Sequence, residues 1–484
     1  MWPSRTHFTM LLAAALPLFV AAPGRARAAA DGPSEAPTAR TSDATEAWPP
    51  SGLHSDAGMS PGTLFEAPPV RRGPIAPGGL ALPVVETLGT ELVVLSVNRW
   101  VRDEPWARVS SNSIGENMRR SWNYDGDGYW VNQLGHPYQG TWSFTAARSS
   151  GLGFWASAPL TFGASALWEL AGETENPSFN DQVTTTFGGI VLGEILHRFA
   201  NALRMEGGAW SLAAAVLEPV GVVNARLVGP VDRMHLPASR WQLALGASDG
   251  SASAGTGSYR SPFGRFSFTY GLAGDEALQI DRPFDHFVLD VGWAASPDPA
   301  ADIRARGLLA GGTFQTSSGG GLYGAYLSYD LTSPPGARVS TVALGGGGSV
   351  RTELTDDLAV EGDAVVSAVL LGAGGTVTRV EYQAAERDYR FGPGQQALLE
   401  ARVLAWNRAR LGLSVRQYLL FGSDEHPGTE LIVHGTASLS IRITRHQGLG
   451  LEVSRQVRRA EAGGQLQRSG GSAVCVYWAL MGGG

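Results

Sequence analysis

The 484-residue sequence contains no lysine and only one cysteine, Cys475. All 37 basic residues are therefore arginine, which codon composition is sufficient to explain. A single cysteine excludes an intrachain disulfide and every cysteine-rich metal site. Charged residues make up only 17% of the chain, against about 25% in an average soluble protein. The net charge of −7 and the lack of a basic stretch argue against nucleic acid as a partner.

Glycine, by contrast, is abundant, with 64 residues. Glycine weakens helices, so this excess argues against a helical bundle as the main architecture. Apolar residues make up 43% of the chain, enough for a packed core or for a lipid-facing surface. The composition therefore indicates a protein of low charge that is rich in glycine and in β-strands.

The N-terminus has the layout of a secretory signal. Arg5 precedes an apolar run from Met10 to Ala22, and Ala-x-Ala cleavage sites follow at residues 26–28 and 28–30. The run is shorter than the ~20 residues that span a bilayer as a helix. We expect a cleaved signal peptide over residues 1–30, with an uncleaved anchor as the alternative. Residues 31–80, rich in proline, serine and alanine, predict a disordered linker.

Residues 81–230 predict a helical segment rich in tryptophan and acidic residues. Apolar spacings of three and four predict a helix from Leu80 to Trp100, and further helices are predicted at Ala164–Leu170 and Gly188–Leu203. Between residues 121 and 200 there are seven acidic residues and two arginines. We expect Gly189-x-x-x-Gly193 to let another backbone approach closely.

Residues 240–484 alternate apolar and polar side chains with a period of two, which is typical of strands. Phe287, Leu289, Val291 and Trp293, for example, alternate with His286, Val288, Asp290 and Gly292. We expect Leu289 to point outward to lipid and Asp290 to lie on the opposite face. We expect about twelve strands of roughly nine to fifteen residues, a length that suits strands crossing a membrane. Clear alternation covers residues 241–245, 265–272, 286–293 and 438–444. Other candidate strands start near Arg304, Leu322, Arg338, Leu358, Leu398, Leu411, Leu451 and Ala473.

These features predict a mainly β protein with an antiparallel barrel of the outer-membrane type. The helical segment is expected to pack in or under the barrel as an internal plug. Arg265 and Arg442, on inward strand positions, are expected to neutralise its acids. The alternative is a large secreted sandwich. The chain ends in three glycines, whereas outer-membrane barrels commonly end in an aromatic residue.

A set of short motifs falls within residues 110–230, in the order His136-Pro137-Tyr138-Gln139-Gly140, Ala147-Arg148, Trp168-Glu169, Pro177-Ser178-x-x-Asp181 and Gly188-Gly189-x-x-x-Gly193-Glu194. In this combination the segment resembles a family of exported bacterial proteins described only as a domain of unknown function. The resemblance implies that the segment is one unit joined to the β region, and it implies no chemistry.

The motifs offer several polar side chains for a site. Pro137 is expected to place His136 in a turn. His136 could act as a general base, with Glu169 or Asp181 orienting it, or could bind a metal together with neighbouring acids. The alternative, which we favour, is a structural polar core with an ion pair between Arg148 and Glu169 and a cap at Ser178. The predicted polar core comprises Asp125, Asp127, Asn132, His136, Tyr138, Arg148, Trp168, Glu169, Ser178, Asp181, Glu194 and Arg198.

The sequence therefore predicts an outer-membrane barrel protein with a structural or transport role, which contacts outer-membrane lipid and has an unknown ligand. The alternative is an outer-membrane or periplasmic enzyme that acts on lipid or envelope polymer, with His136 as the base. No nucleophile motif is complete, so catalysis is the less favoured interpretation, and we expect no cofactor and no metal.

Overall fold

The computed structural model describes residues 79–483 except for 207, 230–236, 254–256, 295–299, 335, 377–388, 424–426 and 463–464. The predicted signal peptide and nearly all of the predicted linker lie outside these residues. The helices are α1 (Ala81–Ser96), α2 (Ser111–Asn117), α3 (His136–Ser149), α4 (Phe154–Ala171), α5 (Phe179–Val183), α6 (Gly189–Glu206), α7 (Trp210–Leu217) and α8 (Pro219–Leu227). Short π-helical turns cover Val97–Val101, Val131–Gly135 and Thr184–Gly188, and a 3₁₀ turn covers Pro105–Ala107.

The strands form one closed antiparallel barrel, which confirms the predicted fold. Each strand pairs with the next along the chain, and β12 pairs with β1. The strands are β1 (Ser239–Ala252), β2 (Ser258–Tyr270), β3 (Phe287–Ala294), β4 (Ala300–Thr316), β5 (Gly319–Thr332), β6 (Arg338–Thr355), β7 (Leu358–Gly375), β8 (Tyr389–Ala405), β9 (Ala409–Phe421), β10 (Gly428–Arg442), β11 (Gln447–Ala462) and β12 (Gln465–Gly483).

Polar contacts across the interior identify the side chains that point into the lumen. The Arg416 guanidinium on β9 lies 3.1 Å from the Asp330 carboxylate on β5. Arg304 on β4 lies 2.9 Å from the His434 ring on β10. Strands so far apart in the sheet can meet only through the lumen. Because strand side chains alternate, residues next to these ones point outward.

The outward side chains of β9 to β12 include many large apolar residues that are exposed. They include Leu411, Leu413, Val415, Leu439, Ile441, Leu449, Leu451, Val453, Val474 and Val476.

The helical segment packs against the outer face of the barrel, over β2 to β8. Tyr329 and Leu331 on β5 are fully buried, although they alternate with the lumen residues Ser328 and Asp330. The Tyr329 hydroxyl donates to the Gln133 carbonyl of the helical segment. The outward residues buried in this way, here called the docking wall, are Tyr270, Phe287, Leu289, Ala305, Leu327, Tyr329, Leu331, Val342, Leu371, Ala373, Tyr389 and Phe391.

The position of the segment thus differs from the expected plug. The lumen is filled by its own paired side chains and by residues 271–283, which join β2 to β3 and which we call the inner loop. Leu278 of this loop packs on the inward side chains of Leu308, Leu322 and Tyr326. A helix is about 10–12 Å wide with its side chains, and a lumen crossed by paired side chains leaves no such space.

Two sequence-based expectations about single residues need correction. His136–Gly140 begins α3 and is not a turn. Proline is tolerated in the first turn of a helix, where its missing N–H costs no bond, and a wider π-helical turn precedes it here. Leu289 points outward as predicted, but it lies in the docking wall and is only 7% exposed. An arginine at this position would therefore disturb the helix contact before it met lipid.

The expected neutralisation of the segment's acids by Arg265 and Arg442 is also wrong. Arg265 pairs with Glu452 inside the lumen. Arg442 donates to the Asn407 side chain in an exposed turn, 3.3 Å away. Both arginines are occupied within the barrel, and the segment packs on the opposite face of the wall from Arg265.

Glycines bring α3 and α6 into backbone contact, as the Gly-x-x-x-Gly pattern predicted. A Cβ on Gly189 would lie 2.6 Å from the Gly140 Cα, and a Cβ on Gly193 would lie 2.8 Å from the Phe144 ring. Any larger side chain would force the helices apart. This contact fixes the distance between the two helices that carry several of the polar side chains described below.

The helical segment also exposes apolar surface on the side away from the barrel. Ala81–Val101 is long and apolar enough to cross a membrane by length and composition, with a mean hydropathy of 1.3, and only 17% of it is buried. Trp155 and Phe162 on α4 and Trp210 and Leu212 on α7 are exposed as well. The outer surface of the segment therefore has the apolar character of the strands beside it.

Two alanines on the outward face of β7 test the docking wall. Ala373 is fully buried under the helices, whereas Ala368 is exposed. We expect Ala373→Trp to displace the helical segment, because the extra volume overpacks the contact, at a cost of about 1–3 kcal/mol or more. Ala368→Trp should be tolerated, because this outward position is exposed and lies outside the helix contact. The rate of trypsin cleavage of the helical segment in detergent measures the difference between the two variants. Only samples whose gel mobility shows an intact barrel are compared. Equal resistance of both variants would contradict packing on the outer wall.

Candidate functional site

Five titratable side chains from separate elements meet in the helical segment. Asp125 and Asp127 lie in the loop before α3, His136 begins α3, Glu169 is near the end of α4, and Asp181 is in α5. We call this group the acid–histidine cluster. The His136 Nε2 lies 3.5 Å from the Asp181 Oδ1. One ligand atom each from Asp125, Asp127 and His136 lies within 4.8 Å of the others.

Short-range hydrogen bonds hold the carboxyl groups in place. The Ser178 hydroxyl accepts from the Asp181 N–H at 3.3 Å, which is the predicted helix cap. The Ser178 N–H donates to the Glu169 carboxylate at 2.7 Å. The Asn180 amide donates to Asp125 at 3.0 Å and to Asp181 at 2.8 Å. The loop, α4 and α5 are thus tied together through their polar side chains.

The barrel closes the cluster from one side. The hydroxyl of Tyr389, on the outer face of β8, donates to the Asp127 carbonyl at 2.7 Å. The same hydroxyl accepts from the Asn132 side chain at 2.8 Å. The Asn132 Nδ2 also lies 2.5 Å from the Asp125 Oδ1. The cluster is therefore formed at the contact between the helices and the docking wall.

Burial favours the neutral forms of the groups at the centre of the cluster. Burial raises the pKa of Glu169 to about 8, with the Ser178 N–H lowering the pKa and the charge of Asp125 raising it. Burial also raises the pKa of Asp181, with Asp125 adding to the effect. It lowers the pKa of His136, against the opposing charge of Asp125. A neutral imidazole has a free lone pair that can accept a proton or bind a metal.

A second polar group, here called the arginine network, lies between α3, α6 and the barrel. Arg148 and Arg198 both bind the buried Glu194 carboxylate, at 2.7 and 2.8 Å. Arg198 also lies 3.2 Å from Asp285 and donates to the Pro283 carbonyl at 2.6 Å. Burial alone would raise the pKa of Glu194, but the two arginines lower it to about 2. This network joins the helical segment to the connection between β2 and β3.

The predicted polar residues thus separate into three sets. The cluster and its frame hold Asp125, Asp127, Asn132, His136, Glu169, Ser178 and Asp181, and the network holds Arg148, Glu194 and Arg198. Tyr138 and Trp168 take part in aromatic packing, against Trp142 and Trp106 respectively. Arg148 pairs with Glu194 in place of the suggested Glu169.

Sequence reasoning missed several contributors. Asn180 stands inside the Pro-Ser-x-x-Asp motif, and its amide could have been included there. Tyr389 and Asp285 come from distant barrel positions, and no local pattern marks them. A buried pair of His197 and Glu218, 2.6 Å apart, joins α6 to the residue before α8.

Comparison with known proteins gives one sequence match. Residues 121–220 match the family described as "Domain of unknown function (DUF3943)". This range contains the acid–histidine cluster and Arg148, Glu194 and Arg198 of the arginine network. The match covers about a fifth of the chain. No curated protein matches the sequence.

Comparison with solved structures gives porins and a transporter, all at low similarity. The KdgM porin in complex with disordered oligogalacturonate is 11% identical, with 48% of this chain and 97% of that chain covered and a TM-score of 0.23. The NanC porin is 7% identical, covering 48% and 98%, with a TM-score of 0.26. The Pseudomonas putida toluene transporter TodX is 11% identical, covering 50% and 89%, with a TM-score of 0.22. At these TM-scores the likeness carries no argument about this chain.

Two buried glutamates of the segment should respond to pH in opposite directions when each is replaced by glutamine. The pKa of Glu194 is lowered from 4.5 to about 2, so its contribution to stability is present above pH ~4.5 and is lost as pH falls toward 2. Glu194→Gln should therefore cost ~3–5 kcal/mol at pH 7, because two buried arginines lose their partner, and less at pH 3.

The pKa of Glu169 is raised from 4.5 to about 8, so its stabilising contribution exists at low pH and is lost as pH rises toward 8. Glu169→Gln, which resembles the protonated acid, should gain stability relative to the unaltered protein between pH 5 and 8. Unfolding of the helices followed by circular dichroism at 222 nm measures both. Parallel pH profiles for the two variants would contradict this assignment.

Proposed function

We propose that the chain is an outer-membrane protein whose closed barrel serves as an anchor that holds the helical segment beside it in the lipid. The observation that carries the proposal is the filled lumen. Charged and polar side chains pair across it at several levels, and the inner loop packs into it from the β2–β3 side. A structural role fits this interior better than continuous passage of solute.

The pairs that fill the lumen come from strands spread around the barrel. Arg240 on β1 binds Glu361 on β7 at 2.9 Å, and Arg306 on β4 binds Asp363 on β7 at 3.2 Å. Arg458 on β11 binds Glu430 on β10 at 2.5 Å. Separating a poorly hydrated ion pair leaves a buried charge without compensation, which is costly. These pairs therefore oppose the opening of a water-filled path through the lumen.

Membrane lipid is the proposed partner of the outer face. The outer face of β9 to β12 carries exposed apolar side chains. On β2 to β8 the helical segment covers the outer face. The segment presents its own apolar surface, including Leu88 and Leu92 on α1. Lipid would solvate both surfaces at once, which supports an outer-membrane location. Export by the predicted signal peptide completes this proposal.

An enzyme that acts on lipid or envelope polymer is the second candidate. The distance of 3.5 Å between His136 and Asp181 favours it, since a carboxyl group beside a neutral imidazole is the arrangement of a general base. The exposed edge at Asp127 gives the cluster contact with solvent. Lipid beside the segment would place a substrate within reach.

Conductance across planar bilayers tests the proposed closed anchor. We expect the purified chain to show no steady conductance. A variant in which residues 272–282 are replaced by a short Gly-Ser linker should conduct, because it removes Leu278 from the lumen. The matched control replaces the exposed turn between β10 and β11, residues 443–446, with a linker of the same composition, and should stay closed.

Steady conductance of the unaltered protein would contradict the proposal and support transport. The same protein, reconstituted in lipid vesicles, tests the enzyme hypothesis. Release of fatty acid or of a soluble envelope fragment that His136→Gln abolishes, with the fold retained, would favour catalysis over a purely structural role.

A further inference from the structure

We infer that Asp125, Asp127 and His136 form a binding site for a divalent transition metal ion of the zinc class. This goes beyond the proposed anchor role and does not depend on whether the lumen conducts. The sequence alone led us to expect no metal, because the three residues match no complete ligand motif. Their convergence becomes visible only in the folded segment.

The spacing of the three side chains suits one ion. Their ligand atoms lie within 4.8 Å of one another. An ion about 2.0–2.2 Å from each ligand holds ligand atoms roughly 3–4 Å apart, so only a small contraction is needed. Asp127 is exposed, and the flanking Gly126 and Gly128 have no atom within 4 Å of an added Cβ. The loop therefore has space to close.

A buried amide oxygen on Asn132, whose side chain contacts Asp125, independently indicates a ligand. Asn132 is 0% exposed, and its Nδ2 donates to Asp125 and to the Tyr389 hydroxyl. Its Oδ1 is buried without a hydrogen-bond partner. An unsatisfied buried oxygen is costly, and in this position a cation would satisfy it. The Asn132 Oδ1 would thus supply the fourth ligand, an oxygen, of a four-coordinate ion.

The chemistry of the set selects the class of ion. Imidazole suits zinc and its neighbours among the transition metals, whereas calcium and magnesium prefer oxygen ligands alone. Asp181 lies 3.5 Å from the His136 ring. A carboxylate in this position commonly orients a metal-bound histidine. The Asn180 amide donates to both Asp125 and Asp181 and so holds the two carboxyl groups in position.

Metal binding to the full-length chain tests the inference. The untagged protein, purified in detergent and treated with a chelator, is titrated with Zn²⁺ by calorimetry and with Co²⁺ by visible absorption. We expect one ion per chain and d–d bands of bound Co²⁺. Asp127→Asn, an exposed and isosteric change, should weaken Zn²⁺ binding at least tenfold, and His136→Gln should do the same.

His446→Gln is the matched control, because it removes an exposed histidine from the turn between β10 and β11. It should leave both the stoichiometry and the affinity unchanged. Intact mobility of the folded barrel and an unchanged helical signal confirm that each variant is folded. Absence of Zn²⁺ and Co²⁺ binding by the unaltered chain would overturn the inference. Binding that Asp127→Asn leaves unchanged, or Ca²⁺ binding as tight as Zn²⁺ binding, would overturn it equally.

Discussion

The rest of the structure depends on the buried guanidinium of Arg198. It binds Glu194 one helical turn earlier on α6, and it reaches Asp285 and the Pro283 carbonyl in the connection between β2 and β3. The same connection carries Leu278 into the lumen. One side chain thus links the helical segment, the outer wall of the barrel and the loop that fills its interior. Because Glu194 is buried and shared by Arg148 and Arg198, its loss would leave an excess of positive charge in a dry environment.

This link explains why the segment and the barrel form one unit. Helices that pack on the outside of a barrel are not enclosed by its wall. They are held in place only by their contact with the outer face, so that contact must be extensive and specific. The docking wall supplies aromatic rings, and Tyr389 adds hydrogen bonds to Asn132 and to the loop of Asp127. The acid–histidine cluster then lies at the seam. Its geometry depends on the barrel, although all five of its acids and bases lie within residues 121–181 of the helical segment.

Periodicity made most of the fold predictable from the sequence. The strand alternation located all twelve strands. The positions of Gly189 and Gly193 predicted that another backbone would approach α6 closely, and the structure identifies it as α3. The side of the wall on which the helices pack was not predictable. Tyr329 and Leu413 both alternate with lumen residues, so a pattern of period two cannot distinguish helix contact from lipid contact. His136 was predicted to lie in a turn, because a residue before proline usually avoids helical geometry. In the structure it begins α3, since the wider π-helical turn before it accommodates the proline. Tyr389 was missed because only the folded chain brings it to Asn132.

Photo-crosslinking from two tyrosines of β5 tests the central claim that the helices lie outside the barrel. Tyr329 points outward and Tyr326 points into the lumen, three residues apart on one strand. A benzophenone amino acid replaces each tyrosine in turn, and mass spectrometry identifies the crosslinked peptides of folded protein. The structure predicts links from position 329 to the helical segment around Gln133 and Gly188, and links from position 326 to the inner loop around Leu278. Links from position 326 to the helices would contradict it, since they would place the segment in the lumen.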